Sequence, residues 1–243
     1  MTEAPGPVRD LIVIGCSAGG VDALPRILQQ LPADVPAAIL IVQHLAPTGT
    51  HYLAGILERR CRLPVAWADQ GARIERGRVL VGPQDLHLLC ADGHVCLTKD
   101  ARENHARPSI DKLFRSAAAV YGSRAIGVLL TGMLDDGVAG LRAIRDAGGI
   151  VIVQDPRDAA YPELPSRALQ AIEPDRTLAL DHIGGALVAL AGQPVVVSAV
   201  PQDVAVEPEL DRRTAEGYAA RARATRAPAE VARKFMLDLS RPK

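Results

Sequence analysis

Residues 11–24 read LIVIGCSAGGVDAL, and this stretch decides the fold of the chain. A short apolar run rich in β-branched residues passes directly into the turn GCSAGG, after which apolar residues recur at helical spacing. Such a pattern predicts a buried β-strand, a tight turn and a helix. The serine in the turn, Ser17, leaves three explanations open: a phosphate-binding loop, a nucleophile elbow or a structural turn.

Similar apolar runs alternate with helical patterns along the chain. The runs at 37–44 (AAILIVQH), 125–132 (AIGVLLTG) and 150–155 (IVIVQD) are separated by amphipathic segments. Strands that are apolar throughout, with helices between them, are typical of a parallel sheet covered on both faces. We therefore predict an α/β fold, with a doubly wound, mostly parallel sheet, helices on both faces and an antiparallel hairpin.

The hairpin is predicted in the middle of the chain. The segments 78–83 (RVLVGP) and 86–99 (LHLLCADGHVCLTK) both have the pattern expected of antiparallel strands. Within the second segment, Asp92 and Gly93 can supply the two positive-φ residues of a tight turn.

One domain is predicted from residue 10 to residue 193. Within it, a helix over 109–122 should begin with Ser109 as its N-cap. The remaining residues, 194–243, are charged, rich in alanine and arginine, and helix-prone. We expect them to form a separate C-terminal tail.

Composition excludes several classes of function. The 28 basic and 28 acidic residues give a formal net charge of zero, and only 3% of residues are aromatic, so we predict no nucleic-acid partner. No apolar run approaches the ~18 residues of a membrane span, so we predict no membrane insertion. The four cysteines lack C-x-x-C spacing, which argues against a zinc site. The N-terminal residues lack a signal-peptide pattern, so we expect a cytoplasmic protein.

The turn at Ser17 does not fit the standard phosphate loops. In the dinucleotide fingerprint G-x-G-x-x-G, Ser17 stands where the second glycine should allow the backbone to approach pyrophosphate. The Walker loop needs a lysine, which this turn lacks. Only a generic anion site at the helix N-terminus stays open.

The nucleophile elbow fits better. Residues 15–19 read G-x-S-x-G in a strand–turn–helix context, and His44 follows the next apolar strand, where it could act as a base. Asp135 and Asp136 follow a later strand, and one of them could orient the histidine. The alternatives are a core or capping histidine, and aspartates that cap the helix after them. The order Ser, His, Asp differs from that of α/β-hydrolases.

Several motifs in sequence order carry a resemblance to a known family. They are VIGCSAGGVDAL, VQHL, GRVLVGPQDLHLL, HARPSIDKLFRSAA and LLTGMLDDGVAGL. From about residue 11 to 190 the chain resembles the catalytic domain of chemotaxis protein-glutamate methylesterases (CheB). The resemblance implies hydrolysis of γ-glutamyl methyl esters to glutamate and methanol, and deamidation of certain glutamines. It implies as partner the cytoplasmic helical region of methyl-accepting chemoreceptors or similar signalling proteins.

The resemblance also assigns roles to residues. Ser17 is implied to be the nucleophile, His44 the base and Asp136 the orienting acid. The backbone amides of Ala18 and Met133 are implied to form the oxyanion hole. No metal or cofactor is implied.

The chain departs from the family pattern in places. Leu134 stands where the family usually has glycine, which puts substrate preference in doubt, and Ala18 stands where threonine is common. Arg107 could contact an acidic receptor surface, or it could be a loop clamp for the helix that begins at Ser109. The chain begins almost at this domain, so we expect a stand-alone domain without the receiver domain of regulated members. Two other functions stay open: a non-catalytic signalling scaffold, and an esterase for another carboxylic ester.

Overall fold

A computed structural model describes residues 6–45 and 52–195 of the chain. The strands are β1 Leu11–Cys16, β2 Ala38–Gln43, β3 Val65–Trp67, β4 Val79–Val81, β5 His87–Ala91, β6 His94–Thr98, β7 Ala125–Leu129, β8 Ile150–Gln154 and β9 Arg176–Leu178. The helices are α1 Gly20–Leu28, α2 Leu53–Glu58, α3 Ile110–Tyr121, α4 Val138–Asp146, α5 Glu163–Ala171 and α6 Leu180–Leu190. None of these described helices is long and apolar enough to cross a bilayer.

Most strands lie in one parallel sheet. Within the described residues, seven strands are ordered β3-β4-β2-β1-β7-β8-β9, and each neighbouring pair is parallel. β5 and β6 form a separate antiparallel hairpin, whose turn residues Asp92 and Gly93 have φ of 47° and 76°. Ser109 caps α3 by accepting a hydrogen bond from the Lys112 amide. The predicted fold class, hairpin turn and helix cap are confirmed.

The prediction for residues 78–83 was wrong. β4 is not an antiparallel strand, because it lies between β2 and β3 and runs parallel to both, with Val79 opposite Ile39 and Val65. All three residues of β4 are buried. Burial on both faces is typical of a strand inside a parallel sheet, and it removes the alternation that marks a hairpin strand.

The central strand β1 joins two hydrophobic cores. Ile12 and Ile14 pack on one face with α1, α2 and α6, whereas Leu11 and Val13 pack on the other face with α3, α4 and α5. All four side chains are fully buried. The end of β1 is therefore held rigidly from both sides, and so is the turn that follows it.

The two ends of the described domain pair with each other near the start of β1. Val8 forms an antiparallel bridge with Pro194, the Arg9 amide donates to the Gln193 carbonyl at 2.9 Å, and the Val195 amide donates to the Pro7 carbonyl at 2.9 Å. Of the predicted tail, residues 196–243 lie outside the described residues.

Polar residues that follow the strands lie together at the opposite edge of the sheet. Because the seven strands are parallel, their carboxyl ends meet at one edge. The His44 amide after β2 donates to the Cys16 carbonyl of β1 at 3.1 Å, and the Ser17 amide donates to the Thr131 carbonyl after β7 at 3.1 Å. Gly19, with φ of 82°, permits the sharp turn from β1 into α1.

Candidate active site

Three side chains at this edge form a continuous hydrogen-bonded chain. His44 Nδ1 lies 3.2 Å from Ser17 Oγ, and His44 Nε2 lies 2.7 Å from Asp136 Oδ2. The His44 side chain is 21% exposed and that of Asp136 only 2%, so the chain runs from solvent into the protein. The structure thus brings together the residues predicted as nucleophile, base and orienting acid.

The geometry determines which imidazole nitrogen carries the proton. Asp136 can only accept when ionised, so His44 Nε2–H is the donor of that bond. Nδ1 of the neutral ring is then an acceptor for the Ser17 hydroxyl proton. In the serine-protease arrangement the nitrogens are used the other way round, with Nε2 toward the serine.

Asp136 is held by the beginning of α3. Its Oδ1 accepts hydrogen bonds from Ser109 Oγ at 2.8 Å, Asn104 Nδ2 at 2.9 Å and the Asp111 amide at 3.2 Å. Its Oδ2 accepts from the Ile110 amide at 2.7 Å. These four hydrogen bonds fix the orientation of the carboxylate independently of His44. None of the four donors was predicted as part of the site.

The charge of Asp136 is favoured by these bonds. Burial raises the pKa of the carboxyl, but hydrogen bonds from His44 and Asn104 outweigh it, so the pKa lies below its ordinary value. The N-terminus of α3 adds a favourable helix-dipole field.

Asp136 caps α3 rather than α4, whose N-cap is Gly137 without a side-chain bond. Asp135 is exposed.

A buried glutamine supports both Ser17 and His44. Gln43 Nε2 donates to the Ser17 carbonyl at 2.8 Å and to the His44 carbonyl at 2.9 Å, while its Oε1 accepts from Cys16 Sγ. Gln43 is 3% exposed. A polar residue at the end of an otherwise apolar strand is the one sequence signal that could have identified it.

Two backbone amides stand beside the turn without partners of their own. Neither the Ala18 amide nor the Met133 amide donates a hydrogen bond to another described residue. Thr131 links the two segments, because its hydroxyl donates to the Ala18 carbonyl at 3.0 Å and accepts from the Tyr161 amide at 2.9 Å. The amides predicted for an oxyanion hole are thus available for a ligand.

The two segments are packed too closely for larger residues. A Cβ atom on Gly132 would lie 2.9 Å from Ser17 Cβ and 2.7 Å from Leu164. A Cβ on Gly19 would lie 3.0 Å from the Thr131 hydroxyl. Glycine at these positions lets the loop after β7 approach the serine turn.

The thiol of the neighbouring Cys16 does not compete with Ser17 as a nucleophile. Burial raises the pKa of the Cys16 thiol far above its ordinary value, which suppresses the reactive thiolate. Within residues 6–45 and 52–195, no group of three or more His, Cys, Asp or Glu is arranged to hold a metal ion.

The chain is similar to known proteins both in sequence and in structure. The family model for CheB methylesterase matches residues 12–187. The chain belongs to the CheB methylesterase family. The solved CheB methylesterase catalytic domain of Thermotoga maritima superposes with a TM-score of 0.72 at 33% identity, covering 76% of this chain and 100% of that one.

Related CheB-family proteins differ in length. One from Anaeromyxobacter dehalogenans, named protein-glutamate methylesterase/protein-glutamine glutaminase 2, is 43% identical over 178 residues, which cover 73% of this chain and 52% of the relative. One from Leptospira interrogans, which carries that enzyme name provisionally, is 38% identical over 182 residues, covering 74% of this chain and 94% of the relative. The chain spans about half of the first and nearly all of the second.

Leu134, where this CheB-family chain departs from the expected glycine, has an unusual backbone. Its φ is 64°, in the left-handed region that glycine adopts readily, and its side chain is 54% exposed. Glu163, at the start of α5, pairs with Arg167 at 2.8 Å. The loop thus keeps the backbone form suited to glycine but presents an apolar side chain beside Met133.

Arg107 of this CheB-family domain is engaged within its own loop region. Its guanidinium pairs with Asp85 at 2.6 Å and donates to the Asp100 carbonyl at 2.7 Å, and its side chain is 16% exposed. These contacts favour the loop-clamping role over a contact with substrate.

Proposed function

We propose that this CheB-family domain is a serine esterase that removes methyl groups from γ-glutamyl methyl esters of chemoreceptor-like proteins, and that it also deamidates glutamines on them. The observation that carries the proposal is the chain of hydrogen bonds from Ser17 through His44 to the buried Asp136, at 3.2 and 2.7 Å. The enzyme names of the relatives support the substrate class.

In the first half of the reaction, Ser17 Oγ attacks the ester carbonyl while its proton moves to His44 Nδ1. The ionised Asp136 stabilises the resulting imidazolium through Nε2–H. The Ala18 and Met133 amides donate to the oxyanion of the tetrahedral intermediate, each worth on the order of 3 kcal/mol. Collapse expels methoxide, which takes the proton from His44 and leaves as methanol.

In the second half, water replaces the alcohol. His44 removes a proton from the water, which attacks the glutamyl–Ser17 ester, and the same proton returns to Ser17 Oγ as that bond breaks. Glutamate is released and the serine is regenerated. With a glutamine substrate, ammonia leaves in the first half and the remaining steps are the same. Water is the only co-reactant, so the proposed reaction needs no cofactor.

The proposed partner is the cytoplasmic helical region of a methyl-accepting chemoreceptor or a similar signalling protein. Ser17 is half-buried at the edge of the sheet where the strands have their carboxyl ends, so a glutamyl side chain on the surface of another protein can reach it. We accordingly propose a cytoplasmic site of action.

One observation favours a second candidate, an esterase for another carboxylic ester. Met133 and Leu134 are 51% and 54% exposed, so the loop beside Ser17 presents more apolar surface than a glycine would. An ester with an apolar group next to its carbonyl would gain from that contact.

The test is methanol release from chemoreceptor membranes carrying labelled methyl esters. The wild-type protein should release labelled methanol, and Ser17→Ala should lower the rate by a factor of at least about 10³, because the nucleophile is lost. Ser123→Ala is the matched control, since Ser123 lies just before β7 at the opposite edge of the sheet. It should match the wild type.

Three outcomes would contradict the proposal. Equal release by wild type and Ser17→Ala would remove Ser17 from the mechanism. A folded wild-type protein that binds the receptor but releases no methanol would favour the non-catalytic scaffold. Release from small carboxylic esters alone would favour the second candidate.

A further inference from the structure

Asn104 joins two buried carboxylates through a single nitrogen. Its Nδ2 donates to Asp136 Oδ1 at 2.9 Å and to Asp111 Oδ2 at 2.8 Å. Its backbone has φ of 50°, a left-handed conformation that asparagine tolerates better than most residues. Reciprocal backbone hydrogen bonds between Glu103 and Ala106 close this turn. The amide is therefore presented to both carboxylates by a defined loop.

The two carboxylates are held together, because the one that precedes α4 caps α3 and the one that lies in α3 caps α4. Asp136, just before α4, accepts from the first amides of α3, and Asp111 of α3 accepts from the Gly140 amide of α4 at 2.6 Å. A Cβ on Gly140 would lie 2.9 Å from the Asp111 carbonyl oxygen, so the helix ends are in close contact. Both aspartates are at most 3% exposed.

The arginines around the two carboxylates are each engaged with another partner. Burial raises the pKa of Asp111 to about 6, and the neighbouring charge of Asp136 contributes to the increase. Arg115 of α3 favours the Asp111 charge but is itself paired with Glu103.

The groove lined by Asn104 and Asp111 also holds the charged residues Asp135, Arg142 and Arg167. Arg167 is paired with Glu163, and Arg142 donates to the Ala171 carbonyl.

We propose that Asn104 is a positioning residue that keeps Asp136 ionised and directed at His44, and that Asp111 sets how strongly the His44–Asp136 pair holds a proton. The inference deepens the proposed esterase function, on which it rests for its catalytic meaning. Asn104 supplies a neutral donor between the carboxylates, which lowers the proton affinity of the His44–Asp136 pair. Asp111 supplies a negative charge, which raises the proton affinity of that pair.

The two side chains should therefore shift the titration of His44 in opposite directions. Asn104→Gly removes the donor and keeps the left-handed backbone, so the NMR titration midpoint of the His44 imidazole should rise by about one pH unit. Asp111→Asn removes a charge and keeps an oxygen for the Gly140 amide, so the midpoint should fall by a similar amount. The acid limb of the pH–rate profile should move with the midpoint in each case.

His105→Gly is the matched control. His105 is the next residue in the same turn, has φ of 62° and is exposed, so the variant makes the same backbone change away from the carboxylates. It should leave the His44 midpoint unchanged. If Asp111→Asn fails to fold, Asn104→Asp serves in its place, because a third negative charge should raise the midpoint beyond that of Asn104→Gly.

Midpoints that stay fixed, or that move the same way in Asn104→Gly and Asp111→Asn, would overturn the inference. So would an equal shift in His105→Gly. The NMR titration does not depend on turnover, so a loss of the proposed function is recognised separately, by the absence of methanol release from the wild type.

Discussion

At the scale of single residues, the imidazole of His44 makes the sharpest prediction. Because Asp136 accepts at Nε2 and Ser17 lies at Nδ1, the neutral ring should carry its proton on Nε2. Nitrogen-15 NMR above the His44 titration should give a protonated-type shift for Nε2 and a bare-nitrogen shift for Nδ1. Ser17→Ala should keep the same tautomer, since Asp136 sets it. A proton on Nδ1 would contradict the geometry.

The predicted site residues differ from the missed ones in the kind of signal that they leave in the sequence. Ser17 and His44 directly follow apolar strands, and parallel pairing brings such positions together whatever the loops do. Gln43 and Asn104 contribute through hydrogen bonds to other parts of the site, among them the bond from Gln43 to the Ser17 carbonyl and the bond from Asn104 to Asp136. Asn104 in particular depends on a left-handed loop conformation, which one sequence does not specify.

At the scale of elements, Thr131 couples the turn after β1 to the loop after β7. Its side chain is 1% exposed, and its hydroxyl bonds both the Ala18 carbonyl and the Tyr161 amide. Thr131→Val keeps the shape but leaves those two groups unpaired, so the Ala18 and Met133 segments should lose their fixed spacing. We expect kcat to fall at least about tenfold with little change in KM, because the oxyanion contact is made mainly in the transition state.

Two variants separate this effect from general destabilisation. Thr131→Ser keeps the hydroxyl and should restore most of kcat. Thr98→Val removes another buried threonine hydroxyl, which donates to Asp100 at 2.8 Å in the β5–β6 hairpin region, and it should lower thermal stability without lowering kcat. If Thr131→Val retained full kcat, or if Thr98→Val lost as much, the coupling would be disproved.

Element prediction succeeded for long apolar runs and for amphipathic helices, and it failed for short or exposed strands. β1, β2 and β7 are long, wholly buried runs, and α3 has both a cap and an amphipathic face. β4 was assigned to the wrong partner, because a three-residue apolar run carries no information on direction. β9 was not predicted, because its first two residues, Arg176 and Thr177, are exposed at the sheet edge.

At the scale of the whole molecule, Asp111 should make stability depend on pH. Its pKa is raised from an ordinary 3.8 to about 6, so the folded state binds a proton more tightly than the unfolded state. The contribution of Asp111 to the free energy of unfolding is therefore largest below about pH 4 and is lost as the pH rises through about 6. The full loss corresponds to about 2–3 kcal/mol.

Chemical denaturation of wild type and Asp111→Asn between pH 4 and 7 measures this contribution. The difference in free energy of unfolding should change by about 2 kcal/mol across that range, in favour of Asp111→Asn as the pH rises. Titrating groups away from Asp111, Asp136 and His44 cancel in the difference because both proteins contain them, and the NMR titration of His44 in each protein gives the contribution of its shifted midpoint. A difference that stays constant with pH would show that Asp111 has its ordinary pKa in the fold.

The pairing of residues 7–9 with 193–195 has a consequence for rearranging the chain. Both ends of the described domain leave from the start of β1, whereas Ser17 lies beyond its six residues, roughly 20 Å away along the strand. A short linker could therefore join the ends, and new termini could open at the Asp92–Gly93 turn, giving a circular permutant with an undisturbed sheet. A protein fused directly before residue 7 or directly after residue 195 would start from the same side of the domain, away from the edge of the sheet that carries Ser17.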